Sequence, residues 1–284
     1  MSNTATVLAF DFGASSGRAI RAVYDGQNLT YEEIHRFENV PIEKDGHLCW
    51  DVETLLKEIH TAIQKAGTFD SLGFDTWGVD FGLLDTDGHL LANPVHYRDA
   101  RTNGKPEQAA ARMPAEELYA HTGNQIMAIN TLFQLLALRE QDPELLQKAA
   151  QILFMPDLFA ALLGAEPVCE RSITSTSQML DPRTGQWSRE VLAAYGLPES
   201  CFAPIVASGT VTGTLANGAK IIAVAGHDTQ CASAAMPCAE EDAEHTAFLS
   251  CGTWSLLGME LDAPILTADS CQSGLSNELG ANGK

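Results

Sequence analysis

The stretch Val7-Leu8-Ala9-Phe10-Asp11-Phe12-Gly13-Ala14-Ser15-Ser16-Gly17-Arg18 constrains the fold of this chain most. The apolar run from Val7 predicts a buried strand, the Gly, Ala and Ser residues a tight turn, and Ala19 to Tyr24 a second strand. Small side chains and two glycines let consecutive backbone N–H groups face outward as a nest that binds an anion such as phosphate. Ser15, Ser16 and Arg18 are candidate phosphate donors, and Asp11, at the strand's end, can hold a magnesium ion. A plain hairpin makes the same pattern without any ligand. Asp11-Phe12-Gly13 is not the protein-kinase triplet, since no glycine-rich or catalytic loop precedes it. Nor is this a Walker loop, because no Gly-Lys-Ser/Thr follows.

A chain of 284 residues with 45% hydrophobic content is long enough for two domains with real cores. The opening residues lack a basic region and an apolar signal core, and no apolar run approaches the roughly 20 residues that span a bilayer. A cytoplasmic protein is expected. Seven cysteines without a Cys-x-x-Cys pair give neither a disulfide framework nor a zinc site. A formal charge of −20 repels nucleic acid and anionic membranes, which argues against both as partners. It does not argue against a phosphorylated ligand, because local donors and a divalent cation can make a positive pocket in an acidic protein.

Beyond the first hairpin, Leu29 to Phe37 alternates as a third strand. Asp51 predicts the N-cap of a helix to about Ala66 with Leu55, Leu56, Ile59 and Ile63 on one face, and Leu72 to Thr76 a further strand. Three strands, a helix and a strand resemble the opening of the actin-like ATPase (ribonuclease H-like) fold. In Asp75-Thr76-Trp77-Gly78-Val79-Asp80 an apolar face, open backbone and a carboxylate combine in a way that suits a sugar, although Trp77 as core and Asp80 as a turn residue explain the same residues. Tyr97-Arg98-Asp99-Ala100-Arg101-Thr102 reads as a surface loop with a salt bridge. Residues from about Pro106 to Leu163 are mostly helical, with Pro143 after Asp142 starting one helix and Met155-Pro156-Asp157 another. The Ser- and Thr-rich stretch Glu170 to Gln178 is open between a buried polar turn and part of a pocket. Ile221 to Gly226 predicts a buried strand leading into His227-Asp228-Thr229 and a helix from Gln230, so Asp228 sits at a strand-to-helix junction, as a working side chain or an N-cap. His245 to Ser250, Cys251-Gly252-Thr253-Trp254-Ser255 and Leu256 to Met259 repeat the opening pattern of strand, small-residue turn and strand.

Taken together, the opening loop, Ile34-His35-Arg36-Phe37, Asp75 to Phe81, Tyr97 to Thr102, Asn130 to Leu135, Met155 to Asp157, Gly226 to Thr229 and Ser250 to Ser255 resemble the FGGY family of carbohydrate kinases. Thr-Trp-Gly-Val-Asp-Phe together with His-Asp-Thr resembles its rhamnulokinase branch. The resemblance implies an α/β protein of actin-like fold that transfers phosphate from ATP, with magnesium, to O1 of L-rhamnulose. It implies ATP phosphates on Ala14, Ser15, Ser16, Gly17 and Arg18, ATP contact by Thr253, and ketose contact by Gly78, His227, Asp228 and Thr229, to which the reading of the residues themselves adds Asp80 as a sugar acceptor. Asp228 would be the general base.

The resemblance further implies a complete first domain over residues 1–203 and the start of a second over 204–284, with the remainder of the second domain and the adenine site lying beyond Lys284. Strands near Ile221 to Gly226 and His245 to Met259 would then expose edges, and exposed edges pair with other chains, so self-association through this region is expected.

Overall fold

The computed structural model of the protein describes residues 4–238, 242, 245–251 and 255–284. β1 (Ala5–Phe12), β2 (Ser16–Tyr24) and β3 (Leu29–Glu38) form an antiparallel meander. A small ribbon of β4 (Ile42–Lys44) and β5 (His47–Cys49) leads to α1 (Val52–Ala66), whose first turn is capped by the Asp51 carboxylate on the Thr54 N–H. The chain then enters β6 (Ser71–Thr76), which runs parallel to β1.

β7 (Phe81–Leu84) leaves the first sheet and pairs with β8 (Gln151–Phe154). Between them lie α2 (Lys105–Ala109), α3 (Ala115–Thr122), α4 (Thr131–Gln141) and α5 (Pro143–Lys148). The Asp142 carboxylate caps α5, with Pro143 in its first turn. α6 (Met155–Leu162), β9 (Cys169–Glu170), α7 (Arg171–Thr174), β10 (Leu180–Asp181), β11 (Gln186–Trp187), α8 (Arg189–Tyr195) and β12 (Ile205–Val206) follow.

β13 (Thr210–Thr214) and β14 (Lys220–Ala223) return to the first sheet, whose order is β13-β14-β6-β1-β2-β3. β14 runs parallel to β6. Residues beyond 204 thus complete the first sheet, and β14, flanked by β13 and β6, is an interior strand, which corrects the expectation that the strand near Ile221 exposes an edge. After it come α9 (Asp228–Ala234), the hairpin β15 (Ala247–Cys251) and β16 (Ser255–Met259), and α10 (Ala268–Gln272). Among the described residues the hairpin pairs only with itself, and it leaves Leu249, Leu257 and Met259 exposed.

The core explains the register. On β1, Leu8, Phe10 and Phe12 are fully buried while Ala9 is exposed, so the strand is covered on one face and not on both. Phe12 stacks on Phe159 of α6 at 4.8 Å and meets Phe37 of β3 edge-on at 5.3 Å, and Phe10 stacks on Phe74 of β6 at 4.9 Å. A second apolar cluster, around Phe133, Leu135 and Tyr195, joins α3, α4 and α8 to β7 and β8.

Phe37 also explains why the loop ends in glycine: a Cβ at Gly17 would lie 2.2 Å from its ring. Gly17→Ala is therefore expected to lower stability by about 1–3 kcal/mol, as overpacking does. Urea denaturation checks this, and adding Phe37→Leu should recover part of the loss.

Candidate active site

Three parallel strands, β1, β6 and β14, end on the same edge of the sheet, where open α/β sheets present working groups. Asp11 on β1 stands in register with Asp75 on β6. Asp11 accepts a two-nitrogen contact from Arg18, at 2.8 Å from Nε and 2.6 Å from Nη2. The loop between them is closed by the Gly13 N–H on the Ser16 carbonyl and is braced by Asn39, whose amide donates to the Gly13 carbonyl. The N–H groups of Ala14 and Ser15 have no partner among the described residues, and the Ser15 side chain is exposed. The Asp75 carboxylate accepts no hydrogen bond from the described residues either; burial and the charges of Asp11 and Asp228 push it well above the usual range.

β14 reaches this edge through Gly226. The Thr76 N–H donates to the Gly226 carbonyl, and Thr76 bridges His227. A Cβ at Gly226 would strike Pro156 at 2.8 Å, so only glycine lets the strand pass. Asp228 is the first residue of α9 and not its N-cap, which is His227. Its Oδ1 accepts the Thr229 N–H at 2.6 Å and the Thr229 hydroxyl at 3.3 Å, and its side chain remains 42% exposed. The carboxylate therefore keeps a free lone pair toward solvent.

The turn between β6 and β7 lies against this junction. A Cβ on Gly78 would sit 3.4 Å from the His227 imidazole, so bare backbone faces the histidine. Val79 takes φ 68°, a left-handed conformation disfavoured for a β-branched residue. It is held there by Thr176, which accepts its N–H at 3.1 Å, and by Thr131, whose hydroxyl donates to its carbonyl at 2.7 Å. Asp80 corrects the expectation of a sugar acceptor. It is fully buried, and its Oδ2 accepts the Trp50 and Trp77 indole N–H groups at 2.6 and 3.0 Å and the Tyr97 N–H at 3.1 Å. Its Oδ1 accepts the Gln134 amide at 2.9 Å. These donors leave nothing for a ligand. Thr253, expected at the second loop, lies outside the described residues.

A family model described as the FGGY family of carbohydrate kinases, N-terminal domain, matches residues 6–234. The chain belongs to the FGGY family of carbohydrate kinases. It is 41% identical over 289 residues to a rhamnulokinase from Bacteroides thetaiotaomicron, covering 97% of this chain and 59% of that protein. It therefore spans less than two thirds of the relative's length. A carbohydrate kinase from Novosphingobium aromaticivorans superposes with a TM-score of 0.81 at 21% identity, over 100% of this chain and 62% of the other. A xylulose kinase from Bifidobacterium adolescentis gives 0.75 at 16% identity, over 99% and 63%. These likenesses establish the actin-like fold.

Two further residues of this FGGY chain shape the site without having stood out in the sequence. Glu170, in the Ser- and Thr-rich stretch, is fully buried and accepts the Gly226 N–H at 3.0 Å, the Ser172 N–H at 2.9 Å and the Ser172 hydroxyl at 2.6 Å. It fastens the strand end that carries His227 and Asp228 to the start of α7. The stretch is thus a buried polar turn that supports the site. Glu278 comes from the C-terminal segment, with Oε2 2.9 Å from His227 Nδ1 and 3.2 Å from the Gln230 amide. No local signal marks it, because the contact spans fifty residues of chain. Burial opposes the charged form of His227, but Glu278, Asp228 and Asp75 outweigh it and raise the imidazole above its usual range; Glu278 is correspondingly lowered despite its own burial.

Two outcomes follow. Because Asp80 serves internal donors, Asp80→Ala is expected to lower stability by about 1–3 kcal/mol, the scale for leaving buried donors without an acceptor, measured by denaturant unfolding. His227, raised above 6.5, contributes stability that is complete below that value and is lost as pH rises through its folded value. Glu278, lowered from 4.5, contributes stability that is complete above that value and is lost as pH falls through its folded value. Amide-exchange protection near Leu279, whose N–H donates to Ser175 Oγ, should therefore be greatest between about 4.5 and 6.5 and decline on either side. Glu278→Gln should flatten that profile.

Proposed function

We propose that this chain carries the proton-accepting, sugar-holding and phosphate-holding groups of an ATP-dependent kinase acting on O1 of L-rhamnulose in L-rhamnose catabolism, giving L-rhamnulose 1-phosphate and ADP. The observation that carries the reading is Asp228: a half-exposed carboxylate at the strand end, with the His227 imidazole beside it and the bare backbone of Gly78 facing that imidazole. The 41% identity to a protein named rhamnulokinase supports the choice of sugar over other ketoses such as ribulose or fuculose.

In this mechanism Gly78, His227 and Thr229 orient the ketose so that its O1 hydroxyl faces Asp228. Asp228 accepts the proton as O1 bonds to the γ-phosphorus and the bridging oxygen leaves with ADP; the proton then passes to solvent. The Ala14 and Ser15 N–H groups, with Ser16, Gly17 and Arg18, hold the phosphates, and Thr253 would meet them from the second loop. Asp11 would hold magnesium, which when bound neutralises phosphate charge. The donor set fits a cation: Asp11 and the unpartnered Asp75 face each other in register, and their repulsion is what a divalent ion relieves. Phosphoryl transfer rests on such positioning and charge neutralisation, and a general base adds about 10² to 10⁴ in rate.

A second reading, an association or sugar-binding module without turnover, is favoured by the exposed leucines of the β15–β16 hairpin, which would serve self-association. Coupled ADP release with magnesium ATP and L-rhamnulose decides. On the kinase reading, Asp228→Asn lowers turnover about 10²- to 10⁴-fold while L-rhamnulose still raises the melting temperature. An unchanged rate removes Asp228 from the role. No turnover by the unaltered chain, with sugar-induced stabilisation retained, selects the module.

A further inference from the structure

A cavity of about 310 Å³ lies beneath the β4–β5 ribbon, and none of Asp11, Asp75, His227 or Asp228 lines it. Part of its wall is apolar, from Phe81 and Leu83 of β7, Val95, Leu138 of α4 and Leu145 of α5. Arg101 reaches it from the segment that the sequence presented as a surface loop. That segment is instead woven into the protein: the Asp99 carboxylate accepts the Leu48 N–H at 2.9 Å, the Arg101 N–H at 2.9 Å and His47 Nδ1 at 3.2 Å.

The Arg101 guanidinium is largely buried but poorly partnered. It has five N–H donors. Nη2 donates to the Gln134 carbonyl oxygen at 2.9 Å, while Nε is buried without a partner among the described residues. Two carboxylates are near enough to favour its charge, Asp80 and Asp99. Both are taken: Asp99 by the donors just named, and Asp80 by two indoles, Tyr97 and Gln134, whose amide stands between it and the arginine. A buried cation without a hydrogen-bonded counter-ion is costly unless something else supplies one.

We propose that this cavity is a binding site for a short aliphatic carboxylate, its head on the outer end of the Arg101 guanidinium and its chain against the apolar part of the wall. Carboxylate matches the planar guanidinium fork, and the cavity is the size of small-ligand pockets. Lys44 and His47 add positive charge at the lining, whereas Asp45 and Asp142 disfavour a phosphate dianion, which also has no use for leucine walls. A monoanion with a few methylenes satisfies both.

The test is binding to the 284-residue chain, which needs no turnover and so stands apart from the kinase reading. Butyrate is titrated while the methyl resonances of Leu83, Leu138 and Leu145 are followed by NMR. Saturable shifts are expected, with acetate roughly tenfold weaker for its two missing methylenes, and 1-butanol and inorganic phosphate weaker than butyrate. Arg101→Met should abolish the shifts. Should that variant not fold, Lys44→Glu, at an exposed position, should weaken butyrate several-fold at low salt. Absence of saturable shifts, equal binding of 1-butanol, or unchanged affinity in the folded Arg101→Met or in Lys44→Glu overturns the proposal.

Discussion

A carboxylate that no cation touches organises this protein. Asp80 sits between the two apolar clusters and draws together Trp50 ahead of α1, Trp77 at the end of β6, the Tyr97 backbone and Gln134 of α4. Burial pushes its pKa up to about 6, but four neutral donors aimed at fixed points keep the anion tolerable near neutral pH. The turn Trp77 to Asp80 is thereby held from its far end while Thr176 and Thr131 grip Val79 in the middle. A strained left-handed valine persists because the surroundings over-determine it, and its consequence is that Gly78 presents bare backbone to His227.

The strand edge poses the opposite electrostatic problem. Parallel pairing puts Asp11 and Asp75 side by side, and β14 adds Asp228, so three carboxylates gather in a protein already strongly acidic. Arg18 answers Asp11, and His227, raised by Glu278 and its other acidic neighbours, answers the rest in part. The Asp75 carboxylate accepts no hydrogen bond from the described residues, and its raised pKa records that imbalance. Local donors, not net charge, decide what such an edge can hold.

Much of this was legible where chemistry is local. The opening strand, turn and strand, the Asp51 cap, Pro143 after Asp142, and Asp228 at a strand-to-helix junction all follow from neighbouring residues, and the structure agrees with each, apart from Asp228 as a cap. Asp80 was misread because its donors arrive from residues 50, 97 and 134, and a turn carboxylate looks the same in sequence whether it faces sugar or indoles. Glu278, Glu170 and the burial of Arg101 were hidden for the same reason. The break in element content at Pro204 was real, yet sheet membership depends on pairing, and β14 pairs with a strand well over a hundred residues earlier.

That pairing bears directly on the chemistry. The loop Gly13 to Ser15 leaves β1, the glycine turn leaves β6 and Asp228 follows β14, three adjacent strands of one sheet. Strands lie about 4.8 Å apart, so the three groups are fixed within roughly 10 Å of one another by backbone hydrogen bonds alone. Glu170 then locks the last of them by holding Gly226. On the kinase reading, the hydroxyl's orientation and its proton acceptor are set relative to the first phosphate loop by the sheet itself, so any closing movement has only to deliver the nucleotide and exclude water. On that reading the catalytic groups are fixed relative to one another by folding, and only the orientation of the substrates themselves is left to be set on binding.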